Sequence, residues 1–312
     1  TASLDSPINL PGPVVTVGTF DGVHLGHRAV LEAVQENART LGGTSVVVTF
    51  DPHPRAVIDP SHSPDILTTM REKEWRIGES GIDQLLVVNF TPSLRTLRPE
   101  AFVREYLVRR LQASVIVLGH DHGFGKDRGG NSETMKTLGQ SLNFDVISMP
   151  PVLIGGAPVS STRLRRQIAE GHLLEAGGLL GSGYFIEGCI VRGEGRGRQM
   201  GYPTANLALE DESKLLPPDG VYAAWVHLPD PHAAVVNLGF RPTFNGKFRC
   251  LEAHILDFEE DLYGERVGIE VTECIRGERK FKNSTALVEQ IRNDRQAARA
   301  LLCEIDETPV RR

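Results

Sequence analysis

Two histidines near the start of the chain have the type and spacing to act on phosphate groups. An apolar run, Val14–Phe20, leads into the string VGTFDGVHLGH, in which His24 and His27 lie three residues apart where a helical pattern begins. Residues at this spacing project from one side of a helix, and the free amides of a helix N-terminus attract anions. The pattern predicts a phosphate site in which both imidazoles donate hydrogen bonds to phosphate oxygens and to charge developing on phosphorus.

Two other interpretations of this histidine pair stay open. An H-x-x-H pair can hold a metal ion, although no third ligand follows at an obvious spacing. The two side chains can also be incidental polar residues on a helix.

Two later stretches of the first half also suggest ligand chemistry. GHDHGFGKDRGG (residues 119–130) follows an apolar run, and VSSTRLRR (residues 159–166) precedes a helical pattern. The first is not a P-loop, because His120 replaces the first glycine of that motif and Asp127 replaces its magnesium-binding hydroxyl. It is either a glycine-rich ligand lip or a flexible surface turn. In the second, the hydroxyls either cap a helix only or bind phosphate together with the neighbouring arginines.

The second half contains a stretch rich in arginine and glycine, Gly188–Leu207. Arginines interleaved with glycines are typical of a cationic rim for nucleotide phosphates, or of a solvated mobile loop. Thr204 and Asn206 follow in an extended segment and therefore face the same side. A hydroxyl and an amide beside phosphate oxygens help to complete the coordination shell of Mg²⁺.

A later strand pattern, Phe248–Leu256, places Glu252 and His254 on one face and apolar residues on the other. A carboxylate on a strand can accept the proton of a substrate alcohol as the alcohol oxygen attacks phosphorus. The same alternation is also typical of a strand that faces solvent.

The composition limits the classes of protein to consider. The 312 residues are about twice the length of a typical domain, which favours two domains. With 34 Lys and Arg against 40 Asp and Glu, the formal net charge is −6, and this argues against nucleic acid as the principal partner. No apolar run approaches the ~20 residues that span a bilayer, and no secretion signal is evident. Four cysteines without a C-x-x-C pair predict reduced thiols, and we therefore expect a cytoplasmic protein. From the lack of a long apolar run we expect no membrane partner. The oligomeric state is not predicted.

The elements of the first half must position the two histidines. Short apolar strands alternate with helical patterns, which predicts an open, doubly wound parallel sheet covered on both faces. The predicted strands are Val14–Phe20, Ser45–Phe50, Gln84–Phe90, Ser114–Gly119 and Asp145–Met149, and the predicted helices are Gly26–Leu41, Pro99–Leu111 and Asn131–Leu142. Ligands of such sheets bind beyond the carboxyl ends of the strands, where the histidines fall.

The second half has a different pattern, in which strands follow one another without helices between them. This favours an antiparallel sheet or barrel. The predicted elements are the strands Tyr184–Val191, Val221–Leu228, Ala233–Leu238, Phe248–Leu256 and Arg266–Ile275 and a final helix, Thr285–Glu304. The change of pattern near Gly181 predicts two domains, residues 1–182 and 183–312.

The motifs of the first half together resemble a known enzyme family. H-x-G-H after the first strand and a later S-S-T-x-x-R are similar to the nucleotidyltransferase superfamily. With TFDPHP (residues 49–54) and the loop at 119–130, they look like the FMN adenylyltransferase module of bacterial bifunctional riboflavin kinase/FAD synthetases. The resemblance implies an ATP site with phosphate contacts from the S-S-T-x-x-R segment, formed by Gly18, Phe20, Asp21, His24, Gly26, His27, Asp121, Ser161, Thr162 and Arg165. His122 stands where many members have an aromatic residue, and this departure concerns flavin contacts from the loop.

The second half resembles a riboflavin kinase domain from about Tyr184 through Arg299. The matching strings, in order, are RGRQMGYPTANL, PPDGVYAAWV, VVNLGFRPTFN and LEAHILDFEEDLYGE. The resemblance implies a six-stranded antiparallel barrel with a C-terminal helix, Mg²⁺–nucleotide contacts from Thr204 and Asn206, and Glu252 as the general base on the ribityl 5′-hydroxyl. It further implies ATP and flavin binding by Gly193, Arg196, Gly197, Arg198, Gly201 and Pro203.

The two resemblances imply one bifunctional enzyme with Mg²⁺ as cofactor. It would phosphorylate riboflavin with ATP to give FMN, then join FMN to AMP from a second ATP to give FAD and pyrophosphate. Three alternatives remain: a chain with only one active site, a regulator that binds flavin without turnover, and a first domain that transfers AMP to another phosphorylated acceptor.

Overall fold

A computed structural model of the chain describes residues 1–120, 130–193, 195–243 and 246–306. The chain divides into two compact units, residues 1–161 and 162–312. The first is built on a parallel sheet and the second on a closed antiparallel barrel followed by a helix. The predicted fold class, a doubly wound α/β domain followed by a small barrel, is therefore confirmed.

Six parallel strands form the sheet of the first unit, in the order β1-β4-β3-β2-β5-β6. They are β1 (Ala2–Ser3), β2 (Val14–Val17), β3 (Ser45–Asp51), β4 (Gln84–Asn89), β5 (Val115–Leu118) and β6 (Asp145–Ser148). All four residues of β2 are buried, as expected for a strand covered on both faces. Val15 and Val17 pack in one apolar cluster and Val14 in another, because successive side chains of a strand point to opposite faces.

Helices supply the apolar side chains that cover the two faces of this sheet. Val30 and Val34 pack on one face, and Phe102 and Leu107 pack on the other. The helices are α1 (Leu25–Leu41), α2 (Pro54–Ile58), α3 (Met70–Glu79), α4 (Pro92–Arg95), α5 (Pro99–Phe102, continued by a π-helical segment, Val103–Arg110) and α6 (Ser132–Leu142), with a 3₁₀ turn at Pro60–His62. Two short strands, β7 (Leu153–Ile154) and β8 (Ala157–Pro158), form a separate hairpin.

The prediction that the first strand reaches Phe20 is wrong. The strand ends at Val17 because the backbone then leaves the extended region: Phe20, Gly22 and Val23 all have positive φ, of 47°, 92° and 37°. This tight turn brings the chain directly from the end of β2 to the start of α1. The side chain of His24 caps α1, and Gly42 ends the helix in a left-handed conformation.

The barrel of the second unit closes in the order β10-β13-β12-β11-β14-β9, with every pair antiparallel. Its strands are β9 (Tyr184–Val191), β10 (Ala205–Ala208), β11 (Gly220–His227), β12 (His232–Thr243), β13 (Gly246–Ile255) and β14 (Arg266–Gly277). The six-stranded barrel that the resemblance implied is thus confirmed.

Within the described residues, this part of the chain also forms the helices α7 (Ser161–Ala169), α8 (Leu173–Leu180), α9 (Arg196–Gln199) and α10 (Ser284–Asp306). Ala298 and Leu302 of α10 are buried against Ala223 of β11. Helix α8 contacts β9 and β14. The compact units divide between Ser161 and Thr162, whereas the functional boundary after residue 182 stays a prediction.

Candidate functional sites

Asp21 holds the turn that follows β2. Its buried carboxylate Oδ1 accepts hydrogen bonds from the backbone amides of Leu67 and Thr68, each at 2.9 Å, and from the Thr68 hydroxyl at 3.2 Å. The same hydroxyl accepts a hydrogen bond from the Gly22 amide at 3.1 Å. Ser161 donates its hydroxyl to the Asp21 carbonyl oxygen at 2.8 Å. Two predicted ligand residues, Asp21 and Ser161, therefore lie together and fix the shape of the turn.

His24 and His27 form a stacked pair at the N-terminus of α1. Their ring centroids are 3.7 Å apart with an interplanar angle of 10°, and His24 Nδ1 accepts a hydrogen bond from the His27 amide at 3.2 Å. Burial lowers the pKa of His27 well below its ordinary value, and the charges of His24 and Lys73 lower it further. His27 Nδ1 is buried with no hydrogen-bond partner among the described residues. At neutral pH the His27 ring is thus uncharged, with one nitrogen left unsatisfied.

Gly18 and Gly26 have no side chain and so leave room for the rings of Phe20 and His24. A Cβ on Gly26 would lie 3.2 Å from the His24 ring, and a Cβ on Gly18 would lie 3.1 Å from the ring of Phe20. The Phe20 ring in turn lies 5.1 Å from that of His27, centroid to centroid. The residues predicted at positions 18 to 27 therefore pack as one cluster at the carboxyl end of β2.

Lys73 of α3 is a member of this neighbourhood that the sequence analysis missed. The side chain is buried, and its Nζ donates to Thr49 Oγ1 at 3.3 Å. Burial lowers the pKa of Lys73, while the carboxylates of Asp21 and Asp51 oppose this shift. One signal was present in the sequence: Lys73 lies four residues before the buried Ile77 and so occupies the apolar face of its helix.

The structure gives less information about the remaining residues predicted for this site. Thr162 and Arg165 follow Ser161 on α7, beyond the last residue of the first unit. Asp121 and its neighbour His122 lie outside the described residues.

The second candidate site lies on neighbouring strands of the barrel. In the strand register, Glu252 of β13 stands opposite Asn206 of β10 and opposite Asn237 of β12. Residues paired in this way point to the same face of a sheet. The hydroxyl of Thr204 donates to Glu252 Oε2 at 3.4 Å. The predicted base and the two predicted metal ligands are thus brought together, and Asn237 is a fourth polar residue that the sequence analysis did not single out.

Close packing by backbone and glycine surrounds Asn206 and Thr204. A Cβ on Gly193 would lie 2.2 Å from Asn206 Nδ2, and a Cβ on Gly197 would lie 2.3 Å from the Tyr202 carbonyl oxygen and 3.3 Å from Thr204 Oγ1. Gly193 and Gly197 therefore pack directly against the two candidate ligands. Gly201, in the turn after α9, has a φ of +79°. The side chain of Arg198 is exposed, and that of Arg196 lies outside the described part of the structure.

The oxygens of this site suit a magnesium ion that is bound largely through a nucleotide. Asn206 Oδ1 is buried without a hydrogen-bond partner in the described part of the chain. An amide oxygen and a hydroxyl are hard ligands of the kind that Mg²⁺ takes. Across the described ranges, no group of three or more His, Cys, Asp or Glu residues is arranged to hold a metal ion.

Comparison with known proteins finds a matching protein family for each half of the chain. A family model described as FAD synthetase matches residues 7–163, and one described as riboflavin kinase matches residues 180–302. A bifunctional riboflavin kinase/FMN adenylyltransferase from Escherichia coli K12 is 37% identical over 290 residues, which cover 92% of each chain. One from Listeria monocytogenes is 35% identical over 297 residues, with 94% of each chain covered.

A solved structure from Streptococcus pneumoniae has the same fold over nearly the whole chain. It is described as a macrolide-efflux protein, is 34% identical, and superposes with a TM-score of 0.83 over 94% of this chain and 95% of its own. Within the described residues, no helix of the present chain is long and apolar enough to cross a membrane.

Proposed function

The chain belongs to the family of bifunctional riboflavin kinase/FMN adenylyltransferases, and from this premise we propose which residues perform each reaction. One reaction phosphorylates riboflavin with ATP to give FMN and ADP. The other joins FMN to AMP from a second ATP and releases pyrophosphate to give FAD. The observation that carries the assignment is that Glu252 and the pair of His24 and His27 lie in different compact units.

In the first unit, the turn after β2 and the N-terminus of α1 bind ATP for adenylyl transfer. His24 Nδ1 accepts a backbone hydrogen bond, so Nε2 carries a proton that the ring can donate to a phosphate oxygen. His27 acts beside it as a second donor, and the amides of α1 add positive potential. These groups offset the charge that builds as the FMN phosphate attacks the α-phosphorus and pyrophosphate leaves. Gly18, Phe20, Asp21, Gly26 and Ser161 of the first unit are assigned to the same site, and the family resemblance extends the assignment to Asp121, Thr162 and Arg165.

In the second unit, Glu252 accepts the proton of the riboflavin 5′-hydroxyl as that oxygen attacks the γ-phosphorus of ATP. The hydrogen bond from Thr204 orients the carboxylate toward this task. The turn from Gly193 to Pro203 encloses the nucleotide, with Arg196 and Arg198 as its cationic side chains. Gly197 and Gly201 keep this turn tight.

Thr204 and Asn206 would hold Mg²⁺ in the kinase site together with the nucleotide phosphates. The unsatisfied Oδ1 of Asn206 supports this assignment. The ion, when bound, neutralises phosphate charge and polarises the phosphorus that is attacked.

We also propose that the enzyme works in the cytoplasm. No disulfide joins the four cysteines, all of which lie within the described residues, and this is the state that a reducing compartment maintains. Its partners are then the small molecules riboflavin, FMN and ATP.

Two single substitutions test the assignment of separate sites. His27→Ala is expected to lower the rate of FAD formation from FMN by about 10²-fold or more, with FMN formation from riboflavin unchanged, because donors to developing charge are lost. Glu252→Gln is expected to lower the rate of FMN formation from riboflavin and to leave FAD formation from FMN unchanged, because the general base is lost. Chromatography of the flavins formed from riboflavin, and separately from FMN, measures both rates.

The matched controls are Glu36→Gln on α1 and Glu212→Gln in the loop before β11, both at exposed positions. Neither should alter either rate. The assignment fails if His27→Ala or Glu252→Gln abolishes both activities in a folded chain, or if each leaves both activities intact.

A further inference from the structure

His254 lies beside Glu252 on β13 and binds the segment that carries the candidate metal ligands. Its Nδ1 is 2.8 Å from the carbonyl oxygen of Pro203. The imidazole also meets the ring of Tyr202 edge-on, with 5.6 Å between centroids. The histidine thus contacts the two residues that directly precede Thr204.

The chemistry of this contact fixes which nitrogen carries the proton. The carbonyl oxygen of Pro203 can only accept, so His254 Nδ1 must donate. Burial lowers the pKa of His254, a shift that Arg295 reinforces and that the Pro203 carbonyl and Asp257 oppose. In the neutral ring Nε2 is then without a proton, and it is buried with no hydrogen-bond partner in the described residues. Among the described residues, the imidazole therefore makes its hydrogen bond through Nδ1 and not through Nε2.

The hydrogen bond of His254 connects the segment that carries Thr204 to the strand that carries Glu252. Glu252 and His254 are two residues apart on β13 and so point to the same face. Glu252 receives the hydrogen bond of Thr204, while His254 holds the peptide that begins at the Pro203 carbonyl and leads into Thr204. Strand pairing between Ala205 and Ala253 fixes the chain just beyond. The position of the Thr204 hydroxyl relative to the carboxylate is therefore set from both sides.

Helix α10 encloses the same contact. The guanidinium of Arg295 lies 5.6 Å from the Tyr202 ring centroid and 3.7 Å from a carboxylate oxygen of Asp257, just beyond the end of β13. Tyr202, the residue before Pro203, thus contacts both Arg295 and His254.

We propose that His254 is a positioning residue of the kinase reaction, which holds the Pro203 carbonyl so that Thr204 and Asn206 meet Mg²⁺ and nucleotide in register with Glu252. The proposal rests on the assignment of the kinase site above. It goes beyond that assignment because it gives β13 a second functional side chain beside Glu252. This side chain positions the segment before Thr204 and does not itself bind substrate or metal.

Three substitutions of the same residue separate the hydrogen bond from packing. Asparagine places an amide N–H near the position of Nδ1, glutamine carries its amide one bond farther out, and phenylalanine keeps the ring without a donor. In the full chain, His254→Phe and His254→Gln are expected to raise the KM for Mg·ATP in FMN formation by about tenfold, the effect of losing one buried hydrogen bond, with a smaller change in kcat. His254→Asn should stay within about threefold of the unsubstituted enzyme.

FAD formation from FMN, catalysed by the first unit, is measured in every variant and should not change. His232→Phe is the matched control, because this histidine of β12 lies against Phe258 instead. The proposal is overturned if all three substitutions have the same effect, whether that effect is none or a uniform loss. A wrong kinase assignment is recognised separately, because Glu252→Gln would then leave FMN formation intact.

Discussion

His27 and Lys73 are ionisable side chains that the first unit keeps away from water. Both have a pKa lowered by burial, and the positive charge of Lys73 further disfavours protonation of His27. A neutral imidazole still carries one N–H, which can donate to a phosphate oxygen. The local structure thus prepares His27 for the role proposed here, at a cost in stability that depends on pH.

The pH dependence of stability tests the state of His27. As the pH falls below 6.5, the ordinary pKa of histidine, the unfolded chain takes up a proton on His27 while the folded ring stays neutral. The free energy of unfolding of the first unit should therefore fall with decreasing pH, by up to about 1.4 kcal/mol per pH unit from this group. The variant His27→Gln should lack that contribution, so its stability should depend less on pH between about 7 and 5.

The chain offers a reporter for this measurement. Its two tryptophans are Trp75, on α3 of the first unit, and Trp225, on β11 of the second. In a Trp225→Phe background, urea unfolding followed by fluorescence reports on Trp75 alone. Substitution of His120, an exposed histidine of the first unit, by glutamine is the control and should leave the pH profile unchanged. Equal slopes for His27→Gln and its parent would contradict the account of a buried neutral ring.

Not every residue of the sites could be predicted from the sequence. His24 and His27 were singled out by their type and spacing, and Glu252 by the resemblance of its strand to riboflavin kinase domains. Lys73 and Asn237 were not singled out in this way and reach the sites through tertiary packing and strand pairing. Their contribution depends on long-range contacts that a local pattern does not encode.

At the scale of elements, the turn that precedes β10 depends on a close approach of backbone to side chain. Gly193 leaves no space between its Cα and the amide of Asn206. In Gly193→Ala the added methyl must displace Asn206, so the rate of FMN formation is expected to fall by about tenfold or more. FAD formation from FMN should not change.

Gly277, at the end of β14, supplies the comparison for this variant. A Cβ there meets nothing within 4 Å, and its φ is not in the left-handed region. Gly277→Ala should therefore leave both rates unchanged. If Gly193→Ala and Gly277→Ala phosphorylate riboflavin equally well, the packing of Gly193 on Asn206 is not important for the kinase.

The long apolar elements could be predicted from periodicity, and the irregular ones could not. The strand Tyr184–Val191 has the predicted bounds, and α1 begins one residue before the predicted start. The first strand was predicted too long because Phe20 is apolar, although its backbone turns to positive φ. Helix α3 was missed because its buried face includes Glu72 and Lys73, which do not form an apolar stripe.

At the scale of the whole molecule, the division into a parallel sheet and a closed barrel explains why the chain can hold two ATP-dependent reactions. One reaction attacks the γ-phosphorus and the other the α-phosphorus, so a single arrangement of donors cannot serve both. Each unit has its own core and its own set of polar residues. The change of pattern near residue 182 was sufficient to predict two unlike folds, although the compact units divide earlier, after Ser161.

The most direct test of two independent sites is a mixing experiment with chains that each retain one activity. His27→Ala and Glu252→Gln proteins are incubated with riboflavin and Mg·ATP, separately and in equal mixture, and the flavins are separated by chromatography. We expect little FAD from either variant alone and rapid FAD formation from the mixture, because FMN released by the first variant is adenylylated by the second. A mixture that forms no more FAD than the separate variants, with both proteins folded, would contradict the account.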